Sequence, residues 1–286
     1  MRAALAAALG EAVADLRPVA GGSLNAAFAA TLAGGARVFV KTSPDAAPGV
    51  YAAEAAGLRW LGDAGALPVP GVLAVGDAFL ALEWVEGGGA PDHEAFGHGL
   101  ARLHRAGAGG PGALPPQTSD PDHLLLGPLA LPNAPAASWP AFYAANRLLP
   151  LARMAADRGA LDAGGVRAVE RVASRIEALA GPEEPTARLH GDLWSGNVHA
   201  GADGRTWLLD PAAHGGHREV DLAMLTLFGG GPPAAFFSAY DEIWPRAAGA
   251  EDRAGLWQLF PLLVHAVLFG GSYGDAARRA AQRYAG

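Results

Sequence analysis

Three polar residues between positions 190 and 210 have the types and spacing needed for phosphoryl transfer. Asp192 precedes Asn197 by five positions, and Asp210 follows a short predicted hairpin whose turn is Asp203-Gly204. A two-residue turn there places Asn197 directly opposite Asp210, so that an amide and a carboxylate can share a small cation. Asp192, on the preceding loop, supplies a carboxylate base beside an oxygen-only metal site, and this combination is the equipment of phosphoryl transfer.

A fourth candidate is Lys41, the only lysine among the 21 basic residues of the chain. With arginine used everywhere else, a lysine marks a position that needs a compact ammonium, although a chance surface lysine is the competing interpretation. A predicted hairpin with a two-residue Gly34-Gly35 turn places Lys41 opposite Phe28. Lys41 then lies just beyond a glycine-rich loop that contains Gly21, Gly22 and Ser23.

The elements that must position these residues fall into two groups. Up to residue 86 the sequence predicts strands in two hairpins and one helix over 50–62. Glu54 lies on an otherwise apolar face of that helix, where pairing with Lys41 explains a buried carboxylate; an exposed Glu54 is the alternative. Helices are predicted over 92–105, 138–158, 162–180, 220–228, 232–243, 252–269 and 275–284, while the Pro- and Gly-rich segment 107–135 gives no prediction. We expect an α+β chain with domains 1–86 and 92–286 joined by a linker, 87–91.

Longer strings around these residues resemble known kinases. The D-x4-N pattern, the later Asp, the strand lysine and the glycine-rich loop resemble the protein-kinase-like fold. H-G-D in place of H-R-D is similar to its small-molecule branch, the aminoglycoside phosphotransferases and choline kinases. The strings that resemble the fructosamine kinase (ketosamine-3-kinase) family are 189–197, 210–212, 216–224, 227–230 and 268–273. This resemblance, over about 21–273, implies a bilobal fold with a small antiparallel N-lobe sheet, one N-lobe helix and a larger, mainly helical C-lobe.

The resemblance also implies roles for the candidate residues, with ATP and Mg²⁺ as cofactors. Asp192 matches the base that accepts the proton of a sugar hydroxyl, and Asn197 and Asp210 match the Mg²⁺ ligands. Lys41 matches the lysine that binds the ATP phosphates, with Glu54 as its partner. The positions that match the phosphate loop and the adenine-binding hinge are Gly21, Gly22, Ser23, Glu83, Trp84 and Val85. His190 and Asp221 match residues that brace the catalytic loop.

Substrate contacts are predicted from residues close to the catalytic loop. They are Trp194, His214, His217 and Arg218, with pairing of Arg218 and Glu219 as an alternative for those two. An indole and imidazoles suit a neutral or singly charged sugar-amine adduct better than a polycation. The resemblance to the fructosamine kinase family implies phosphorylation of the 3-hydroxyl of a ketosamine, free or on glycated protein lysines, and with it a role in deglycation repair. The alternatives are an aminoglycoside or other small-alcohol phosphotransferase and a nucleotide-binding pseudokinase.

Composition excludes several other classes. The net charge of −7 argues against a nucleic-acid partner, and the absence of cysteine excludes disulfides, thiolate metal sites and cysteine nucleophiles. A spaced pair, His214 and His217, is the remaining candidate for a metal site other than the Asn197–Asp210 pair. The apolar N-terminal run ends at Glu11, which favours a short amphipathic helix over a signal peptide. We expect a cytoplasmic monomer or weak homodimer with no membrane partner.

Overall fold

An antiparallel sheet of five strands forms the centre of the N-terminal part of the chain. The computed structural model describes residues 1–19, 25–44, 46–229 and 231–286. The elements of this part are α1 (Arg2–Leu9), β1 (Val13–Val19), β2 (Ala26–Leu32), β3 (Arg37–Thr42), α2 (Val50–Gly62), β4 (Val72–Gly76) and β5 (Phe79–Glu83). The strand order is β1-β2-β3-β5-β4, so β3 lies at the centre of the sheet. The predicted N-terminal helix and the helix over 50–62 are both confirmed.

The turn between β2 and β3 differs from the prediction by one residue. Lys41 pairs with Ala27 rather than with Phe28, and the loop consists of residues 33–35. Gly35 closes this loop with a φ of 89°, the conformation expected of a glycine that follows a type I turn in a three-residue hairpin loop. The predicted two-residue Gly34-Gly35 turn is therefore wrong.

The same correction applies to the hairpin beside the candidate catalytic residues. Its strands are β9 (Val198–Ala200) and β10 (Thr206–Leu208), which lie in the chain between a second antiparallel pair, β8 (Ala187–Leu189) and β11 (His214–Gly216). Residues 202–204 form the hairpin loop. Asn197 therefore lies opposite Leu209, whose N–H donates to the Asn197 carbonyl at 2.9 Å. Asp210 follows one residue later, and the predicted direct pairing of Asn197 with Asp210 is wrong.

The rest of the chain is mainly helical, as predicted. Its helices are α3 (His93–Arg105), α4 (Trp139–Tyr143), α5 (Leu149–Asp157), α6 (Ala163–Ser174), α7 (Ile176–Leu179), α8 (Glu219–Leu225), α9 (Ala234–Ile243), α10 (Ala250–Trp257), α11 (Leu259–Phe269) and α12 (Ser272–Tyr284). Asp92 caps α3 and Asp162 caps α6 by accepting a backbone N–H three residues on. Three predicted helices are each divided: 138–158 by a π-helical turn (Ala144–Leu148), 162–180 at Arg175 and 252–269 at Gln258.

The segment 107–135, whose structure was not predicted, contains a hairpin of β6 (His123–Leu126) and β7 (Leu129–Pro132). Two side chains of the π-helical turn hold its far end. Asn146 accepts from the Ala134 N–H and donates to the Ala134 carbonyl, and the buried Arg147 donates to the Pro132 carbonyl at 2.6 Å. On its near side β6 packs against α2, so this hairpin touches both parts of the fold.

Several apolar clusters make up the core. The largest lies among the C-terminal helices, and a smaller one joins Trp60 and Leu61 at the end of α2 to Leu100 and Leu103 on α3. The segment predicted as a linker, 87–91, also contacts the second part of the chain, because Gly87 forms an antiparallel bridge with Gly201. Just before it, the Glu86 carbonyl accepts the Ala202 N–H at 2.7 Å. No helix within the described ranges is long and apolar enough to cross a membrane.

Candidate active site

A cleft of about 790 Å³ lies between the sheet with α2 on one side and the helical part on the other. The residues predicted to carry the chemistry line it together: Lys41, Glu54, Asp192, Asn197 and Asp210. They come from β3, α2, the loop before β9 and the segment after β10. The convergence of five polar side chains from four separate segments makes this cleft the candidate active site.

Lys41 is the best enclosed of these groups, with 4% of its surface exposed. Its Nζ lies 2.7 Å from Glu54 Oε2 and 3.1 Å from Asp210 Oδ1. Burial alone would lower the pKa of Lys41, but the two carboxylates raise it above its ordinary value, so the ammonium is retained. The interpretation of Lys41 as a chance surface lysine is wrong.

Glu54 is buried beside this ammonium. Burial raises the pKa of Glu54 to about 7, while the charge of Lys41 lowers it. The 2.7 Å contact between Lys41 Nζ and Glu54 Oε2 favours the charged forms of both groups, a carboxylate beside an ammonium. The other carboxylate oxygen, Oε1, is buried and has no hydrogen-bond partner among the described residues.

Asp192 and Asn197 are joined by two hydrogen bonds within the loop that carries them. The Asn197 Nδ2 donates to the Asp192 backbone carbonyl at 2.8 Å and to its Oδ2 at 3.1 Å. This fixes the carboxylate at the floor of the cleft. Burial raises the pKa of Asp192 to about 7, and the hydrogen bond from Asn197 lowers it. The geometry is that of a carboxylate held in place to accept a proton.

The loop that carries Asp192 is held from below by Asp221, which is almost fully buried. Its carboxylate accepts the N–H groups of His190 at 2.7 Å and Gly191 at 2.9 Å, and it lies 3.2 Å from His104 Nε2. Gly191 has a φ of 84°, and a β-carbon there would overlap the Ala212 carbonyl oxygen. Only glycine fits at this position, which accounts for the G of H-G-D.

Asp210 reaches the cleft through an uncommon backbone conformation. Its φ is 52°, a left-handed value that non-glycine residues adopt rarely. The one-residue shift of the β9–β10 hairpin takes Asp210 away from Asn197 in register, yet both residues line the cleft. A strained residue at the point where Lys41 and the cleft meet is typical of functional sites.

Asn197 and Asp210 are the residues that could supply oxygen ligands to a magnesium ion. Asn197 donates with its nitrogen to Asp192, so its Oδ1, which has no hydrogen-bond partner among the described residues, could act as a ligand, and Asp210 has a second carboxylate oxygen that Lys41 does not contact. The described residues contain no cluster of three or more His, Cys, Asp or Glu that could hold a metal by itself. Mg²⁺ usually takes one or two carboxylates plus substrate phosphates, so two ligands are the expected protein share.

Of the predicted substrate contacts, only Trp194 lines the cleft. His214 is 1% exposed, its Nδ1 donates to the Ala212 carbonyl, and its ring stacks on Trp139. His217 is buried as well and stacks on Trp257 at 5.1 Å between ring centroids. The predicted contact of His214 and His217 with substrate is wrong, and the alternative of a metal site at these two residues fails for the same reason.

Arg218 is also a structural residue. It is 1% exposed and forms a two-pronged ion pair with Glu184, with both nitrogen-to-oxygen distances 2.7 Å. Glu219 pairs instead with Arg253, with the closest atoms 2.6 Å apart. Neither the substrate contact nor the predicted Arg218–Glu219 pair is present, because each of these side chains has a partner on a more distant segment.

One wall of the cleft was not predicted from the sequence. It consists of rings from the loop after α8, from α11 and from the start of α12: Phe228, His265, Phe269 and Tyr273. The hairpin of β6 and β7 adds His123 and a run of leucines on another side. Phe228, Phe269 and Tyr273 fall in strings that resemble the kinase family, and those strings were the available signal.

None of the residues predicted for the phosphate loop and the adenine-binding hinge is among the described residues that line the cleft. Gly21, Gly22 and Ser23 lie outside the described residues. Glu83 ends β5, where its N–H donates to the Gly71 carbonyl, and Trp84 donates to Glu86. Glu83, Trp84 and Val85 are not among the described residues that line the cleft, so their role as a hinge stays a prediction.

Comparison with known proteins identifies the family of the chain. A family model described as fructosamine kinase matches residues 1–285. A "Probable ketoamine kinase" of Synechocystis sp. is 36% identical over 276 residues, which cover 93% of this chain and 88% of the relative. The chloroplastic protein-ribulosamine 3-kinase of Arabidopsis thaliana is 32% identical over 268 residues, which cover 91% of this chain and 79% of the relative.

Solved structures agree with these matches. A "putative fructosamine-3-kinase" from Thermobifida fusca has a TM-score of 0.87 and 44% identity, with 99% of this chain and 98% of the other covered. A macrolide 2'-phosphotransferase, at 19% identity and a TM-score of 0.61 over 96% of this chain and 94% of the other, shares the fold. The fold is thus that of the protein-kinase-like phosphotransferases, as predicted. The chain belongs to the fructosamine kinase family.

Proposed function

We propose that this protein transfers the γ-phosphoryl group of ATP to the 3-hydroxyl of a ketosamine. The observation that carries the proposal is the contact of Lys41 with both Glu54 and Asp210, in the cleft where Asn197 holds Asp192. A buried ammonium, a fixed carboxylate and two oxygen ligands are the groups that phosphoryl transfer to an alcohol requires. Family membership supports the choice of a sugar-amine adduct as the alcohol.

In this proposal Asp192 orients the sugar hydroxyl and takes its proton as the oxygen attacks the γ-phosphorus, and ADP leaves. Lys41 binds phosphate oxygens, and Glu54 keeps its ammonium in place. Asn197 and Asp210 would hold Mg²⁺, which neutralises phosphate charge when bound. Backbone groups at Gly21, Gly22 and Ser23 would cover the phosphates. The adenine would pair with the main chain at Glu83, Trp84 and Val85, where neither the N–H nor the carbonyl of Val85 has a partner among the described residues.

An acceptor panel tests the proposal. The purified protein is supplied with ATP and Mg²⁺ and with ribulosamine, fructosamine, erythrulosamine or kanamycin, and ADP release is measured for each. We expect turnover with at least one ketosamine at a higher kcat/KM than with kanamycin, and ³¹P–¹H NMR of the product should place the phosphate on O3. Higher efficiency on kanamycin, or phosphate on another hydroxyl, would contradict the proposal.

A further inference from the structure

The wall of the cleft that is built from the loop after α8, from α11 and from the start of α12 has a histidine at its centre. His265 lies 4.6 Å from Phe228, 5.4 Å from Phe269 and 5.0 Å from Tyr273, measured between ring centroids. We call these four residues the aromatic wall. It continues into the candidate catalytic loop, because Phe228 meets Trp194 edge to face at 6.1 Å. Three rings therefore surround the imidazole, and one of them, Phe228, also contacts Trp194 on the candidate catalytic loop.

The hydrogen bonding of His265 determines which of its nitrogens faces a ligand. Its Nδ1 lies 2.8 Å from the Pro261 carbonyl oxygen, which can only accept, so Nδ1 carries the proton. Burial lowers the pKa of His265, which favours the neutral ring. A neutral ring protonated on Nδ1 leaves Nε2 as an acceptor, and Nε2 has no hydrogen-bond partner among the described residues.

The charges of the cleft are unevenly distributed. The only carboxylates among its described lining residues are Glu54, Asp192 and Asp210, and all three belong to the phosphoryl-transfer groups. The aromatic wall offers no carboxylate to a positively charged substrate. It offers ring faces and one lone pair, and these attract a cation that can also donate a hydrogen bond.

We propose that the aromatic wall, through the Nε2 of His265 and the ring faces of Phe228 and Tyr273, binds the protonated secondary amine of the acceptor. This inference rests on the proposed function for the identity of the acceptor. The amine of a ketosamine lies on C1, two carbons from the hydroxyl-bearing C3, so it must lie close to the acceptor oxygen. Phe228 contacts Trp194 on the catalytic loop and His265 on α11, and it therefore spans the required region.

The aromatic wall then acts as the specificity-determining part of the cleft. An ammonium N–H donates to Nε2, and the ring faces stabilise its charge without a carboxylate. The one ammonium group of a ketosamine is enough to satisfy the one acceptor atom, Nε2 of His265. An aminoglycoside would bring several ammonium groups to a wall with no compensating negative charge, so the same residues disfavour polycations.

A matched pair of compounds isolates the amine. N-propylfructosamine carries the ammonium, and the 1-O-propyl ether of fructose has the same chain with an uncharged oxygen in its place. Binding of each is measured by calorimetry without ATP, and kcat/KM is measured with ATP. We expect the wild-type protein to prefer the amine by at least about tenfold in both measurements, the scale of a hydrogen bond to a charged group.

Variants of the aromatic wall assign that preference to named groups. His265→Leu should reduce the ratio of the two affinities by about tenfold, since it removes the acceptor and the ring. Tyr273→Leu should reduce it about threefold, and Tyr273→Phe should restore it because the ring face returns. His93→Leu, at the start of α3 and away from the cleft, is the control and should leave the ratio unchanged. Phe228→Leu gives a second test of the wall should His265→Leu fail to fold.

The outcomes separate this inference from the proposed function. Equal affinity of the wild-type protein for amine and ether would overturn the inference even if both compounds are phosphorylated, and so would an unchanged ratio in both His265→Leu and Phe228→Leu. A preference for the amine that falls in these variants supports it. If that preference is seen but neither compound is phosphorylated, the proposed function fails and the binding role of the aromatic wall stands.

Discussion

The two ends of the cleft are built from different kinds of side chain. At one end, Lys41, Glu54 and Asp210 form a charged network whose atoms lie 2.7 and 3.1 Å apart. At the other end, the aromatic wall contains rings and a single histidine without a carboxylate partner. In the proposed function the first end, which we call the phosphate end, holds the same phosphates in every turnover, and its groups are held in place by mutual charge. The second end, which we call the acceptor end, would meet the acceptor, and its shape and ring faces could change without disturbing the phosphate end.

The largest effect is expected at Asp192. Asp192→Asn should leave MgATP binding largely intact but lower kcat at least about a hundredfold, the usual scale for loss of a positioned base. A fluorescent ATP analogue measures binding and ADP release measures turnover. The variant retains a side chain of equal size beside Asn197, so near-wild-type turnover would remove Asp192 from the mechanism.

A smaller loss is expected at Lys41. Lys41→Arg should reduce kcat/KM by about tenfold, because a planar guanidinium cannot replace a point charge between Glu54 and Asp210. The control is Arg171→Lys on α6, where the side chain is exposed and does not line the cleft. Retention of more than half of the wild-type kcat/KM in Lys41→Arg would show that the network requires only a positive charge.

At the acceptor end, Trp194→Ala should act on KM. We expect the KM for a ketosamine to rise about fivefold, since the indole offers a face to the sugar ring and its loss costs one stacking contact. The KM for ATP should change by less than twofold. If the KM for ATP rises instead, Trp194 serves the phosphate end and the division of the cleft is wrong.

The smallest effect on activity is expected at His217, which the structure assigns to neither end. His217→Phe keeps the ring that stacks on Trp257 and should leave the KM for the acceptor within twofold of wild type. Kinetics on the ketosamine that the wild type uses best will measure this. A clear rise in KM would return His217 to the substrate site.

The His217→Phe variant should also change how the free energy of unfolding depends on pH. Burial lowers the pKa of His217 below 6.5, so the unfolded chain binds a proton at a higher pH than the folded chain does. His217 therefore reduces the stability of the wild-type fold as the pH falls through about 6.5. Urea unfolding at pH 7.5 and 5.5 should show a smaller loss of stability in His217→Phe, and an equal loss would contradict this.

The sequence predicted the phosphate end much better than the acceptor end. Asp192, Asn197 and Asp210 are close in sequence, and their chemistry restricts the residue types. The register of both hairpins was wrong by one residue because glycine also closes three-residue loops, as at Gly35 and Gly204, and the sequence alone does not distinguish the two turns.

The acceptor end could not be predicted for a different reason. Apart from Trp194, which was predicted, its rings come from the loop after α8 and from the junction of α11 with α12, and each of these rings taken alone is typical of a hydrophobic core. For His214 and Arg218 the error was the opposite one, because substrate contacts were predicted for residues that do not line the cleft. They lie near the catalytic residues in sequence, but their side chains point into the packed interior toward Trp139 and Glu184.

The enclosure of Lys41 also affects how this protein withstands reducing sugars. Sugars glycate the unprotonated ε-amino groups of exposed lysines, and the one lysine of this chain is buried and held as an ammonium by two carboxylates. Apart from the α-amino group, the chain therefore has no exposed primary amine for Schiff-base formation. An enzyme with this composition should acquire few ketosamine adducts of its own at high sugar concentration, and intact mass after incubation with ribose would record it.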